Sequence, residues 1–387
     1  MIAAIFKRVV LDIIILPLVL ALLILVFLDA KALYRSALLV TELLPGKSLS
    51  LLNYLSDHPV HKQIGFEVNN KMVEADLYLP RNKKNTPGFI FFLGVSPADR
   101  GSDPRVETLV NTLARLGVAV LVPWLETQEK SIVVKDDVES LIYLFEYFSD
   151  IESIDDTKIG MGGICTGASM VALAASDPRI NENVKFLNLF AGYYDALDFT
   201  KAVVSKKRFY NDLLYEWQPD TLTQIVVAKQ LSESVSNRYD REYLNRLILE
   251  GDRDAEIDSF LTDEGKVIYL LISNPQIHNV DNLFNKLPNK TISYLEDISP
   301  SKFVGNLKAR VMIMHDRHDR LVPVDESRRF YEGLKSNHPV YYTEFTSFQN
   351  QIQVHVDNDA GNISSADYLI EAWKLLRHLY EVMKEVS

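Results

Sequence analysis

Beyond His58-Pro59 the chain reads as an α/β domain on a mostly parallel sheet flanked by helices. Two observations predict that class. Short β-branched and aromatic runs alternate with stretches of helical periodicity, and a Gly-x-Cys-x-Gly segment stands where one such run passes directly into an Ala-rich helix. Composition agrees: 387 residues, 47% of them hydrophobic and 24% charged, suffice for one large domain or two modest ones and exclude a disordered or low-complexity chain. With 41 basic and 52 acidic side chains the net charge is −11, and no basic arm offsets it, so nucleic acid is not an expected partner.

The first element is apolar. Residues 9–28 carry only Asp12 and Pro17 against the trend, and twenty helical residues reach about 30 Å, the thickness of a hydrocarbon core. A single membrane span over residues 1–30 is the leading reading. A cleaved signal peptide is the rival, because Lys7 and Arg8 precede the run, but the run is long for a signal core and Leu28-Asp29-Ala30-Lys31 is not a small-x-small exit. Lys31, Arg35 and Lys47 follow the span, and the charge rule leans toward a cytoplasmic body. Residues 31–60 are a juxtamembrane segment whose leucines (Leu38, Leu39, Leu43, Leu44, Leu49, Leu51, Leu52, Leu55) fit short amphipathic helices, on the bilayer or packed on the body.

Strands are predicted at 62–68, 73–78, 88–93, 119–123, 158–162, 186–190, 310–315 and 340–345. Helices fit between them at 105–116, closed by Gly117, at 133–148, with Val138, Leu141, Ile142, Phe145 and Phe148 on one stripe, at 166–175 and at 366–386. Residues 198–300 break the rhythm. They are helix-like, rich in Leu and Tyr, and too long for a structureless loop, so an inserted helical subdomain is expected there, leaving 61–197 and 301–387 as the core.

Chemistry concentrates at Gly163-Ile164-Cys165-Thr166-Gly167. A sharp strand-to-helix turn forces its middle residue into strained dihedrals and crowds the flanking positions, which must be small. Cys165, the chain's one cysteine, would stand at a helix N-terminus, where the dipole and free N–H groups favour thiolate and can bring its pKa into roughly the 3.5–7.5 range. The plainer alternative is a buried small hydrophobe. A single cysteine also excludes an intramolecular disulfide and any multi-cysteine metal site, and no nucleotide or metal motif appears, so no cofactor is expected.

A carboxylate at a strand's C-terminal end is well placed to orient an imidazole. Asp319, three residues before Val322-Pro323, is the first choice and Asp316 its competitor. Only His355 and His378 follow the last strand; His378 falls within the closing helix, which leaves His355 as the base, with His318 as a substitute. The oxyanion donors are expected to be the backbone N–H of Thr166 and, from the loop after the third strand, that of Val95.

Together Gly163-Ile164-Cys165-Thr166-Gly167, Asp319 with Val322-Pro323, and His355 resemble the α/β-hydrolase superfamily over residues 61–387, and the insertion falls where that superfamily commonly places its lid. Cysteine at the elbow resembles the dienelactone hydrolases, in which a Cys-His-Asp triad opens a lactone; the Gly-x-Cys-x-Gly is also similar to that of polyhydroxyalkanoate synthases, which transfer acyl groups through a thioester. The membrane segment and large insertion depart from the dienelactone hydrolases, and Ala168-Ser169 after the elbow and the lack of glycine after His355 depart from the synthases. The resemblance implies hydrolysis of a carboxylic ester or thioester through a thioacyl-enzyme, with acyl transfer by the same residues as one alternative and a non-catalytic interaction protein as another. A small-molecule or lipid-like acyl substrate is the expected partner, with the membrane as second partner through the N-terminal helix.

Overall fold

The computed structural model describes residues 29–43, 52–68, 71–81, 83–95, 103–250, 260–273, 277–348 and 364–387. Helices α1 (Ala30–Leu43) and α2 (Leu52–Leu55) precede strands β1 (Val60–Val68), β2 (Lys71–Leu79) and β3 (Thr86–Phe92). Then follow α3 (Pro104–Arg115), β4 (Ala119–Trp124), α4 (Glu126–Glu129), α5 (Asp136–Ser149), β5 (Ile154–Ile164), α6 (Thr166–Ala175) and β6 (Phe186–Phe190). After the long intervening segment come β9 (Arg310–Asp316), α13 (Val324–Leu334), β10 (Val340–Phe345) and α14 (Ser365–Glu385).

Every predicted strand is present. They form one eight-stranded sheet in the order β1-β2-β4-β3-β5-β6-β9-β10, antiparallel where β2 meets β1 and β4 and parallel at every other pairing. This mostly parallel sheet flanked by helices fits the α/β-hydrolase fold. The central strands are buried on both faces, as parallel sheets require. Ile90, Phe92, Leu121, Met161, Leu189 and Ile313 face one layer, with α5 and α6 packed on them. Their alternate neighbours Phe89, Phe91, Val120, Phe190, Met312 and Met314 face the other, with α1, α3 and α14. Each such side chain contributes about 1.5–3 kcal/mol by leaving water.

Local signals set the helix ends. Asp103 caps α3 through the Arg105 N–H, with Pro104 in the first turn, and Gly117 (φ 89°) lets the chain reverse into β4. Of the leucines in residues 31–60, Leu38 and Leu39 of α1 share a cluster with Leu375, Leu379 and Met383 of α14, Leu55 is exposed, and Leu44, Leu49 and Leu51 lie outside the described residues.

Between β6 and β9 the segment read as helical carries α7 (Ala196–Ser205), α8 (Thr221–Ser234), α9 (Arg238–Glu250), α10 (Asp263–Ile272), α11 (Ile277–Phe284) and α12 (Asn289–Asp297). It also contains a hairpin, β7 (Lys207–Tyr210) with β8 (Leu213–Glu216), which corrects the all-helical expectation. The turn at Asn211-Asp212, both at positive φ, is the Asx-type hairpin signal that marks it. Among the described residues no helix is long and apolar enough to cross a membrane; residues 9–28 lie outside them.

Candidate active site

The parallel strands end together, which brings remote segments to one edge. Phe92 of β3 pairs beside Gly163 of β5, Ile164 beside Phe190 of β6, and Phe345 of β10 beside Asp316 of β9. The residues that follow these positions therefore meet at the carboxyl edge of the sheet.

Cys165 is the single residue between β5 and α6, and it has φ 55° and ψ −129°. A side chain rarely adopts those angles, and such strain persists only where neighbours over-determine it. They do so here. The Cys165 N–H donates to Phe190 O (2.8 Å) and its carbonyl accepts from Ala168 N–H (3.1 Å). The small flanks are obligatory: a Cβ on Gly163 would stand 2.5 Å from the Gly167 carbonyl carbon, and one on Gly167 would strike Phe92 O and Gly94 N. Close approach of three backbone segments thus makes the turn, and the turn presents the sulfur.

The thiol departs from expectation. Instead of being drawn down into the thiolate range, it is pushed up to about 12, chiefly by burial and further by the Asp319 charge; the Thr166 N–H pulls the other way. Desolvation of an anion outweighs the helix N-terminus when that anion faces a carboxylate. In this arrangement the sulfur is protonated at neutral pH.

Both expected oxyanion donors lie at this turn: Thr166 directly follows Cys165, and Val95 bonds to Thr166. Val95 follows Gly94, whose φ of 72° and close contact with Gly167 admit only glycine. The Val95 N–H is occupied, donating to Thr166 Oγ1 at 3.0 Å. Sequence reasoning missed the group that holds this loop. Gln128, 2% exposed, donates from Nε2 to Gly94 O (2.8 Å) and accepts the Leu125 N–H at Oε1 (2.6 Å). Nothing in its local sequence marks it, since a glutamine after a strand is ordinarily solvated.

Asp319 lies in the turn after β9 and is 2% exposed. Its Oδ1 accepts from Leu321 N–H (2.6 Å) and Val322 N–H (3.1 Å), which fixes the carboxylate, and Oδ2 is 3.6 Å from His315 Nε2. The competitor Asp316 is also buried and accepts the His318 N–H (2.9 Å). His315 is spoken for: Nε2 donates to Val322 O (3.0 Å), Nδ1 accepts from Ser327 Oγ (2.7 Å), and burial lowers its pKa to about 4. His378, placed by the sequence in the closing helix, is fully buried between Thr343 Oγ1 (3.0 Å) and Asn188 Oδ1 (2.9 Å). His318 is exposed. His355 lies outside the described residues.

The intervening segment docks on the turn that carries the acid. Trp217, just past β8, donates from Nε1 to Asp319 O (2.8 Å), Asp220 N–H donates to Arg320 O (2.7 Å), and Thr223 Oγ1 donates to Leu321 O (2.9 Å). The described residues thus bring Cys165, Thr166, Val95 and Asp319 to one edge and lay part of the insertion beside them. Among the described residues no cluster of metal-ligating side chains occurs.

No family model matches the sequence, and no curated protein matches it. Among solved structures the chain is similar to an acylaminoacyl peptidase of Pyrococcus horikoshii, at 15% identity and a TM-score of 0.48 over 80% of this chain and 41% of that one. It is also similar to Est1E from Butyrivibrio proteoclasticus, at 15% identity and a TM-score of 0.43 over 85% and 98% of the two chains. A third is a hyperthermophilic esterase of the archaeon Pyrobaculum calidifontis, at 13% identity and a TM-score of 0.46 over 95% and 98%. The chain spans about two fifths of the peptidase's length. At such identities and scores the likeness says nothing of activity or substrate.

Proposed function

We propose that this chain is a membrane-anchored acyl-transfer enzyme, most simply a hydrolase of carboxylic esters or thioesters, with Cys165 as nucleophile. The observation that carries the reading is the strained Cys165 backbone at the carboxyl edge of the sheet, held between β5 and α6 by glycines that tolerate no side chain. A buried structural cysteine needs no such conformation.

In this reading His355 takes the thiol proton as the sulfur attacks the substrate carbonyl, and Asp319 orients the ring and balances its charge. The proton then passes to the leaving alkoxide or thiolate. Water, giving its proton to the same ring, attacks the thioacyl-enzyme; the acid product leaves and the thiol is restored. The Thr166 and Val95 N–H groups bind the oxyanion, and for Val95 this requires the Thr166 hydroxyl to turn away from its 3.0 Å bond. Residues 198–300 act as the lid; if they exclude water and admit another acceptor, the same steps give acyl transfer. The Leu- and Tyr-rich lid and the apolar residues 9–28 favour a lipid-like acyl group and a single-pass tether, with a cytoplasmic body.

One observation favours a second reading, a non-catalytic interaction protein: the thiol is held protonated, at about 12, by burial and Asp319. Turnover of p-nitrophenyl and acyl-thioester substrates separates the two. For the enzyme, Cys165→Ala abolishes turnover and His355→Ala lowers both turnover and Cys165 alkylation by iodoacetamide. Alkylation no faster than that of a free thiol, and indifferent to His355→Ala, would exclude it.

A further inference from the structure

At the opposite, amino edge of the sheet, cationic side chains gather. Arg35 of α1 is 6% exposed, and its guanidinium makes a bond through Nη1 to Val386 O (2.6 Å), just past the end of α14. Lys83, in the turn before β3, points at the same place: its Nζ lies 2.5 Å, and Arg35 Nη2 3.2 Å, from where a Cβ would stand on Gly117. The two cationic ends thus lie beside one another over Gly117. Lys158 of β5 donates to Ser387 O (2.7 Å), and Lys31, in the first turn of α1, feels Arg35, Lys158 and Lys83.

Like charges at this spacing repel, and burial adds to the cost. Lys31, Arg35 and Lys83 are each pulled below their ordinary range, by burial first and then, for both lysines, by the neighbouring cations. Asp29 acts favourably on Lys31 and Arg35, but its Oδ1 caps the Ala32 N–H (2.9 Å). Among the described residues none of the three has an ion-pair partner. A guanidinium more than nine-tenths buried, with N–H groups left over, the Lys83 ammonium beside it and Lys31 one helical turn away on α1, is a preformed anion cradle.

We propose that Lys31, Arg35 and Lys83 form a binding site for a phosphate group. Arg35 supplies planar donors and the two exposed lysines add charge, a donor set that suits a phosphate monoester or diester. The site directly follows residue 28, where the apolar run ends. A lipid headgroup at a bilayer surface and a free phosphate both offer this chemistry. The site is independent of catalysis at Cys165.

The test uses the full-length chain and the exposed pair Lys31→Glu/Lys83→Glu, which leaves the buried Arg35 and the core intact. Inorganic phosphate is titrated calorimetrically against buffer matched in ionic strength with chloride. Sedimentation with phosphatidylcholine vesicles, with and without phosphatidic acid, forms the second arm. We expect wild type to bind in at least one arm and the double variant to lose about tenfold or more in that affinity. Binding confined to phosphatidic acid vesicles assigns the lipid source, and equal response to inorganic phosphate assigns the free ion. No binding in either arm, or a double variant that binds like wild type, overturns the site.

Discussion

At the carboxyl edge of the sheet the buried acids are paired: Asp325 bonds Arg208 and Arg328 at 2.9 Å each, Glu326 accepts the Tyr194 and Asp195 N–H groups and Arg329, and Asp319 is fixed by Leu321 and Val322. At the amino edge Arg310 is matched by Glu381 and Glu385, yet among the described residues Lys31, Arg35 and Lys83 gather without an ion-pair partner, and the one acid acting on Lys31 and Arg35, Asp29, is a helix cap. A matched network presets geometry before any ligand arrives, whereas unmatched like charges store repulsion that a ligand of opposite sign relieves. The two ends of the same strands thus differ in kind: one suits the proposed reaction, which needs a group held still, and the other suits the proposed anion.

The strongest way to break the first half of that contrast is at the backbone contact. Gly167→Ala drives a methyl into Phe92 O and Gly94 N, and we expect it to cost more than about 4 kcal/mol or prevent folding, read by urea unfolding. A near-wild-type midpoint would mean the elbow is not the tight junction described. Asp319→Asn comes next and divides structure from chemistry. Removing its charge lowers the Cys165 pKa, so alkylation by iodoacetamide speeds up, while ester turnover falls by about 10²–10⁴-fold because the ring loses its orienting partner. If both rates move in the same direction, Asp319 does not serve a triad.

Acid titration sharpens the comparison further. His315 is held neutral in the fold, at about 4 against 6.5 when unfolded, so its contribution is fully present above pH 6.5 and is lost as pH falls toward 4, amounting to about 3 kcal/mol. His378, lowered by burial to about 3, acts in the same direction. Chemical denaturation across that window should show the decline, and His315→Gln should flatten it. Gln128→Leu leaves Gly94 O and Leu125 N without their partner, at a cost of about 1–3 kcal/mol, and should lower kcat more than it raises KM because it frees the loop that carries Val95. The smallest effect belongs to the other edge: in phosphate-free buffer Lys83→Gln should raise stability by a few tenths of a kcal/mol, roughly the worth of one relieved like-charge contact. Destabilisation by that change would say that the lysine is already neutralised.

The sheet was legible because its signals are local. Alternation of apolar runs marked all eight strands, and Gly163 and Gly167 marked the turn because only a crowded backbone demands glycine on both sides of one residue. The ends were less exact: β5 begins at Ile154, four residues ahead of the predicted start, because Asp155, Asp156 and Thr157 carry no hydrophobic signature. The hairpin at Lys207–Glu216 was hidden by a window dominated by helical periodicity. At the candidate site, position along the chain singles out Cys165 and Asp319, which the fold brings to one edge, but not their mutual electrostatics, since a thiol favoured by a helix N-terminus and a thiol opposed by a buried carboxylate share one sequence. Gln128 and Arg35 escaped altogether. Their roles come from which distant carbonyls they reach, and no neighbour in sequence reports that.

The bond from the Trp217 indole to the main-chain oxygen of Asp319 has a mechanical corollary. Any displacement that carries Trp217 outward tugs on the peptide of Asp319, whose charge acts on the Cys165 thiol. On the proposed function, entry of a bulky substrate and alignment of the acid would then be one event, because a guest that displaces Trp217 also moves Asp319 until the indole settles back.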